Sequence, residues 1–250
     1  MKISVHESAE AACKAAAETA AQILKEAIAR RGQATFIAAT GGSQIAFLKH
    51  LVAAPGIAWD RTTMFHLDEY VGLPATHPGS FRRFLRERLT SLVPIGGVHF
   101  IDGDAPDLRA ELMRLNHALA GNPVDAAFIG IGENGHLAFN DPPADFETEC
   151  PFILVALDEG SRRQQLGEGW FKTLEEVPRV AISMSVRQIM KAASIVCTVP
   201  GKQKAKPVKA CLEGEIGPMF PASILRRHPR CFTFLDRDSA GELSPGTLTG

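Results

Sequence analysis

The sequence lacks any apolar run long enough to span a bilayer, and no apolar core of the signal-peptide type follows its start. Its five cysteines are scattered without a C-x-x-C pair, which is typical of reduced thiols that pack in an interior. The formal net charge is only −1, and no basic run is long enough to follow a nucleic-acid backbone or an anionic membrane. We therefore expect a cytoplasmic protein that has neither nucleic acid nor a membrane as its main partner.

Motifs for metals and redox cofactors are also missing. The sequence contains no H-x-x-x-H pair and no cluster of cysteine and histidine that would suit a metal ion. Its one glycine-rich loop lacks the spacing of a dinucleotide-binding fingerprint. The sequence therefore predicts no metal site and no cofactor.

Apolar segments of two kinds alternate along the chain. Short runs such as residues 35–39, 63–67 and 126–130 predict buried strands, and longer segments with a helical period, such as Leu108–Ala120, predict helices. This alternation is typical of an α/β fold with a doubly wound, mainly parallel, Rossmann-like sheet and helices on both faces. Because no repeat, linker or boundary interrupts the pattern, we expect one domain over residues 1–250.

Later segments extend the same pattern. Residues 152–156 and 179–183 predict two further strands, and residues 161–171 predict a helix. The tail from Asp236 onward is rich in glycine and serine, and we expect it to be loosely held. Right-handed crossovers place the ends of successive strands along one edge of a parallel sheet. We expect one cleft at that edge, lined by residues 40–43, 68–69, 130–141, 183–187 and 201–204.

The stretch richest in polar side chains follows the predicted strand at residues 126–130. Gly130, Gly132 and Gly135 prevent regular structure there and let a ligand approach the backbone. The loop also holds two carboxylates, two amides and an imidazole: Glu133, Asn134, His136, Asn140 and Asp141. A loop that only turns the chain needs none of these, and the carboxyl end of a strand in an open α/β sheet is where ligands bind.

This loop, with residues 40–43, residues 67–74 and more loosely Lys204, closely resembles the glucosamine-6-phosphate deaminase (isomerase) family, which shares its fold with the 6-phosphogluconolactonases. The similarity covers most of the chain. It implies a NagB-type fold and an enzyme of amino-sugar catabolism. Such an enzyme converts glucosamine 6-phosphate to fructose 6-phosphate and ammonia. The order Asn-Gly-His-Leu-Ala-Phe-Asn-Asp in the loop is deaminase-like, since the lactonases usually read Asp-Gly-His-Thr-Ala-Ser.

The resemblance also implies catalytic roles for individual residues. Asp68 corresponds to the base that moves a proton from C2 to C1 of the opened sugar. His136 corresponds to the histidine that opens the ring, and two supporting acidic positions map to Asn134 and Asp141. The best-known members carry Asp and Glu at these positions, so both are departures. Glu133 is an alternative carboxylate partner for His136.

For substrate and phosphate binding, the resemblance implies Thr40, Gly41, Gly42, Ser43, Glu69, Gly135 and Lys204. Backbone amides and hydroxyls at a helix N-terminus suit a phosphate dianion. The family's phosphate-binding arginine aligns with Gly169, and Arg162, Arg163 and Arg187 are open alternatives.

Three functions remain open on the sequence. The first is a deaminase. The second is a lactonase or another sugar-phosphate isomerase. The third is a non-catalytic sugar-phosphate sensor, since this fold also serves as the effector domain of transcription regulators. The chain has no spare helix-turn-helix segment for a regulator of that kind. All three take a small sugar phosphate, and a homo-oligomer is compatible with each.

Overall fold

The computed structural model describes residues 1–248, in which strands and helices alternate. The strands are β1 (Lys2–His6), β2 (Ala34–Ala38), β3 (Thr62–His66), β4 (Asp68–Tyr70), β5 (Gly97–His99), β6 (Ala126–Ile129), β7 (Phe152–Ala156), β8 (Val180–Met184), β9 (Ser194–Val199) and β10 (Cys231–Asp236). The α-helices are α1 (Ala9–Arg31), α2 (Gly42–Ala53), α3 (Phe81–Leu85), α4 (Leu108–Ala120), α5 (Glu159–Gly167), α6 (Val186–Met190), α7 (Ala205–Glu213) and α8 (Pro245–Leu248). Short 3₁₀ turns occur at Trp59–Arg61, Lys202–Lys204 and Pro221–Arg227, and a π-helical turn at Arg86–Thr90 follows α3. No helix among these residues is long and apolar enough to cross a membrane.

Seven strands form the main sheet in the order β1-β10-β9-β6-β2-β3-β5, and every neighbouring pair is parallel. Every residue of β2 is buried, because adjacent side chains enter cores on opposite faces of the sheet. Phe36 packs in the core beneath α1 and α2, whereas Ile37 packs in the core beneath α4 and α7. The predicted doubly wound, mainly parallel fold is thus confirmed.

A second, smaller sheet was not expected. The strands β4, β8 and β7 pair antiparallel, with Asp68 opposite Ser183 and Phe152 opposite Met184. The prediction that residues 152–156 and 179–183 belong to the main parallel sheet is therefore wrong. The chain leaves the main sheet directly after β3, where the carbonyl of Leu67 accepts a hydrogen bond from the N–H of Met184. This exit carries Asp68 into the smaller sheet.

The ends of several helices follow from local sequence. Helix α1 ends where Gly32 takes a left-handed conformation with φ of 79°. Helix α3 begins at Phe81, because the Ser80 hydroxyl accepts from the N–H of Arg83 and caps the helix. Pro207 lies in the first turn of α7. N–H groups in a first turn have no partner within the helix, so the missing N–H of proline costs no hydrogen bond there.

The tail is held more firmly than expected. The Asp236 carboxylate accepts hydrogen bonds from the N–H groups of Gly201 and Ser239. The Glu213 carboxylate accepts from Ser244 and from the hydroxyl of Thr247. The expectation of a loose tail is therefore wrong as far as residue 248, and residues 249–250 lie outside the described part. The Asp236 contact also fixes the turn that leads to Lys204.

Candidate active site

A cavity of about 840 Å³ opens at the carboxyl ends of four adjacent strands, β9, β6, β2 and β3. Its volume lies in the range of small-molecule sites, ~300–1,000 Å³. Four of the five segments expected at this edge contribute: residues 40–43, Asp68, most of residues 130–139, and residues 201–204 with the exception of Lys202. The fifth, residues 183–187, does not line the cavity. Ser183 instead supports the glycine-rich loop from beneath, where its hydroxyl accepts from the N–H of Phe139.

The Asp68 carboxyl group faces this cavity. Pairing of β4 with β8 fixes its backbone, and only 5% of the residue is exposed. Within the described chain no group donates a hydrogen bond to this carboxyl group. Burial, together with the nearby charge of Glu69, raises its pKa from 3.8 to about 8. An acid with this pKa can both give and take a proton near neutral pH.

Glu69 does not line the cavity, although the resemblance implies a role for it in substrate binding. The residue is 0% exposed. Its carboxylate accepts hydrogen bonds from the N–H groups of Tyr70, Phe81 and Arg82 at 2.7–3.1 Å, and from the Ser80 hydroxyl at 2.9 Å. These four donors leave it no capacity for a ligand. Glu69 therefore anchors the start of α3 against β4.

His136 lies against the backbone of its own loop. A Cβ atom added at Gly132 would lie 2.1 Å from His136 Nε2, so only glycine allows the ring to take this position. His136 Nδ1 lies 3.1 Å from Ser161 Oγ and 3.2 Å from Asp141 Oδ1. The Ser161 hydroxyl also donates to Asp141 Oδ1 in a short hydrogen bond. Both contacts fall on Nδ1, which leaves Nε2 without a hydrogen-bond partner in residues 1–248.

Asp141 is saturated with donors although it does not itself line the cavity. Burial raises its pKa, but the contacts with His136, Ser161 and the N–H of Asp158 outweigh burial, and the net pKa is lowered. The carboxylate that contacts His136 is therefore Asp141. The alternative partner, Glu133, lies on the cavity wall and acts electrostatically on Lys204.

Asn134 shows why an amide can stand where relatives carry an acid. Its Nδ2 donates to Asp141 Oδ1 at 3.1 Å and to Asp158 Oδ2 at 3.2 Å, and its Oδ1 accepts from the N–H of His136. A carboxylate at position 134 would place a third negative charge between two others, whereas the amide bridges them. The analysis of the sequence missed both Asp158 and Ser161. Asp158 is the N-cap of α5, and only its capping pattern is visible in the sequence.

The expected phosphate-binding segment, residues 40–43, forms the start of α2. Gly41 is the N-cap with φ of 91°, and as a glycine it offers no side chain of its own to cap the helix. Lys204 lies across from it, buried, with no ion pair in the described chain. Burial lowers the pKa of this lysine, and the carboxylates of Glu133 and Glu168 oppose the shift. Gly135, which the resemblance implies in binding, faces Cys211 and Phe220 and does not line the cavity.

The three candidate arginines occupy different places. Arg162 donates to the backbone carbonyls of Leu174 and Val177, and Arg187 pairs with Glu147 and Glu149. Neither borders the cavity. Arg163 does, although it is exposed and pairs with Glu159 on the same helix.

Comparison with known proteins agrees with this geometry. The family model described as glucosamine-6-phosphate isomerases/6-phosphogluconolactonase matches residues 7–233. The chain belongs to this family. Within it, the chain is 35% identical over 226 residues to the glucosamine-6-phosphate deaminase of Streptococcus uberis, covering 90% of this chain and 94% of that one. It is also 35% identical over 243 residues to the deaminase of Lactobacillus delbrueckii subsp. bulgaricus, covering 97% of this chain and all of the relative.

Two solved structures match nearly the full length of the chain. A structure described as a monomeric glucosamine-6-phosphate deaminase, a missing link of the NagB superfamily, matches with a TM-score of 0.88 and 29% identity, covering 97% of this chain and 100% of that one. The 6-phosphogluconolactonase of Trypanosoma brucei matches with a TM-score of 0.77 and 19% identity, covering 97% and 98%. At that identity, the second likeness shows the fold alone.

Proposed function

We propose that this protein is a glucosamine-6-phosphate deaminase, which converts glucosamine 6-phosphate to fructose 6-phosphate and ammonia within one domain. One observation carries the proposal. Asp68, a buried carboxyl group that receives no hydrogen bond from residues 1–248, borders the same cavity as a histidine that is oriented by Ser161 and Asp141. The deaminase names of relatives at 35% identity support the same reaction.

Ring opening is the first step, and it falls to His136. Asp141 and Ser161 engage Nδ1, which favours the tautomer that carries its proton there. Nε2 can then accept the proton of the anomeric hydroxyl and return it to the ring oxygen. The step needs no net change of charge on the histidine.

The second step is proton transfer from C2 to C1, and Asp68 carries it out. In its ionised form the carboxylate removes the proton from C2 of the open-chain amino sugar and then delivers it to C1, while a second proton passes from the amino nitrogen to O1. The product is an imine at C2, and water adds to it and releases ammonia. A pKa raised to about 8 by burial suits a group that must take a weakly acidic proton and give it back.

The phosphate is assigned to the start of α2 and to Lys204. The first N–H groups of α2 receive no cap from the N-cap residue Gly41 and border the cavity, and a helix N-terminus favours an anion. Lys204 adds a buried positive charge. We call residues 40–43 and Lys204 the phosphate cradle.

A substrate panel tests this function. The purified protein should release ammonia and fructose 6-phosphate in equal amounts from glucosamine 6-phosphate, with far lower kcat/KM for glucosamine. Hydrolysis of 6-phosphogluconolactone without ammonia release would instead identify a lactonase. Binding of the sugar phosphate without turnover of either compound would identify a sensor.

A further inference from the structure

The phosphate cradle already faces a carboxylate from the chain itself. Glu168 follows α5 directly, and its side chain lies against Gly41. A Cβ atom added at Gly41 would lie 3.6 Å from Glu168 Oε1 and 3.7 Å from Oε2. Oε2 is buried and has no hydrogen-bond partner among residues 1–248. An unsatisfied buried oxygen is costly, so this position requires a compensating attraction.

That attraction comes from the cradle. Burial has the largest effect and raises the pKa of Glu168 overall, while the N–H of Gly42, the charge of Lys204 and the side chains of Gln164 and Trp170 act in the opposite direction and offset part of the rise. The first two of these groups are the ones assigned to the substrate's phosphate. Burial and the charge of Glu168 both raise the pKa of the Tyr70 phenol.

We propose that Glu168 is an internal ligand of the phosphate cradle, which the substrate's phosphate must displace and which thereby sets the affinity for sugar phosphates. The inference rests on the proposed function. A carboxylate and a phosphate dianion cannot share one N-terminus and one lysine, because their like charges repel at contact distance in a site of low dielectric constant. The carboxylate therefore leaves when the phosphate enters.

The backbone around Glu168 allows this movement. Glycines flank it on both sides, and a Cβ atom added at Gly167 or Gly169 would meet no other atom within 4 Å. Gly169 has φ of +84°, a conformation that favours glycine. Helix α5 ends at Gly167, so Glu168 can turn away without disrupting the helix. Its departure leaves Lys204 and Arg163 as cations on the cavity wall.

The first test is Glu168→Gln, which keeps the shape and removes the charge. Sulfate serves as the probe, because it is a dianion that binds without turnover, and calorimetry at pH 7.5 measures its Kd. We expect sulfate to bind at least about tenfold more tightly to the variant, or ~1.4 kcal/mol. The KM for glucosamine 6-phosphate should fall in parallel, with kcat changed less than about twofold. Glu175→Gln is the matched control, since Glu175 is exposed in the segment that follows α5. An unchanged or weaker sulfate affinity in Glu168→Gln overturns the proposal.

The second test uses the unmodified enzyme, so it does not depend on the variant folding. Trp170 lies beside the Glu168 carboxylate, and the other tryptophan, Trp59, is buried beneath α1 and α2. Displacement of Glu168 by sulfate should shift the emission of Trp170, and Trp170→Phe should remove the signal. Saturation with sulfate and no change of emission contradicts displacement.

The two proposals can fail separately. If the enzyme releases ammonia from glucosamine 6-phosphate but Glu168→Gln leaves the sulfate affinity unchanged, the function stands and the internal ligand is refuted. If the variant binds sulfate more tightly while no amino-sugar phosphate is turned over, the internal ligand stands and the deaminase function is refuted.

Discussion

Replacing Asp68 by asparagine should remove turnover and raise stability in the same variant. The amide keeps the shape of the side chain but cannot take the proton from C2, so kcat for ammonia release should fall by more than ~10²-fold. The same substitution removes a buried charge that no donor in the described chain compensates. A residue with a purely structural role would show the opposite pattern, because its loss would lower stability.

The size of the stability effect follows from the pKa. A rise from 3.8 in the unfolded chain to about 8 in the folded one corresponds to at most ~6 kcal/mol. The folded state prefers the protonated acid. The contribution of Asp68 to the free energy of unfolding is therefore fully present below pH 3.8 and is lost as the pH rises through 8. Water in the cavity reduces the penalty, and we expect ~1–3 kcal/mol at pH 9. That corresponds to an increase in Tm of roughly 3–10 °C.

Calorimetry at pH 4 and pH 9, combined with an ammonia assay, separates the outcomes. The variant should match the parent protein at pH 4 and exceed it at pH 9. Asp60→Asn is the control, because Asp60 is exposed just before the opposite end of β3. A near-normal kcat would refute Asp68 as the base. An equal change of Tm at both pH values would refute the link between burial and its pKa.

Further predictions concern the phosphate cradle and the histidine. Lys204→Ala should raise the KM for glucosamine 6-phosphate strongly, whereas Lys202→Ala, a change at an exposed neighbouring residue, should not. Equal effects of the two variants in steady-state kinetics would refute the phosphate cradle. His136→Gln and Asp141→Asn should both slow ring opening, so an open-chain substrate analogue should restore much of the rate. Their double mutant should cost little more than the worse single mutant, and multiplied losses would show that Asp141 acts elsewhere. Asn134→Asp should lower Tm at neutral pH by adding a third carboxylate beside Asp141, and an unchanged Tm would argue against the amide bridge.

The main sheet was predictable because its strands are buried on both faces. Residues of β2 and β6 are apolar at nearly every position, and helical periods separate them. The smaller sheet was not predictable by the same rule. Strand β7 is also apolar throughout, yet Leu154 is 46% exposed in it. Apolar composition alone therefore does not reveal which sheet a strand joins or in which direction it runs.

The errors at the site have similar causes. Asp68 and Glu69 are neighbours in a strand, and successive side chains in a strand point to opposite faces, so only one of them reaches the cavity. The opposite orientations of the two side chains could be predicted only if β4 was first recognised as a strand. Asp158, Ser161 and Glu168 reach the site from α5 and its end, a segment distant in sequence from the signature loop. Nothing local in that segment indicates which loop it will face.

The carboxyl groups at and near the site differ in their surroundings. Glu69 and Asp141 each accept several hydrogen bonds. Burial still raises the pKa of Glu69, whereas the contacts of Asp141 lower its pKa, so Asp141 stays ionised and orients His136. Asp68 has no hydrogen-bond donor within the described part of the chain, and burial raises its pKa to about 8. Carboxyl groups whose surroundings push their pKa values apart are suited to different roles in one reaction. Asp68 is therefore the group that can exchange a proton with a substrate near neutral pH, and a donor introduced beside it would lower its pKa and weaken it as a base.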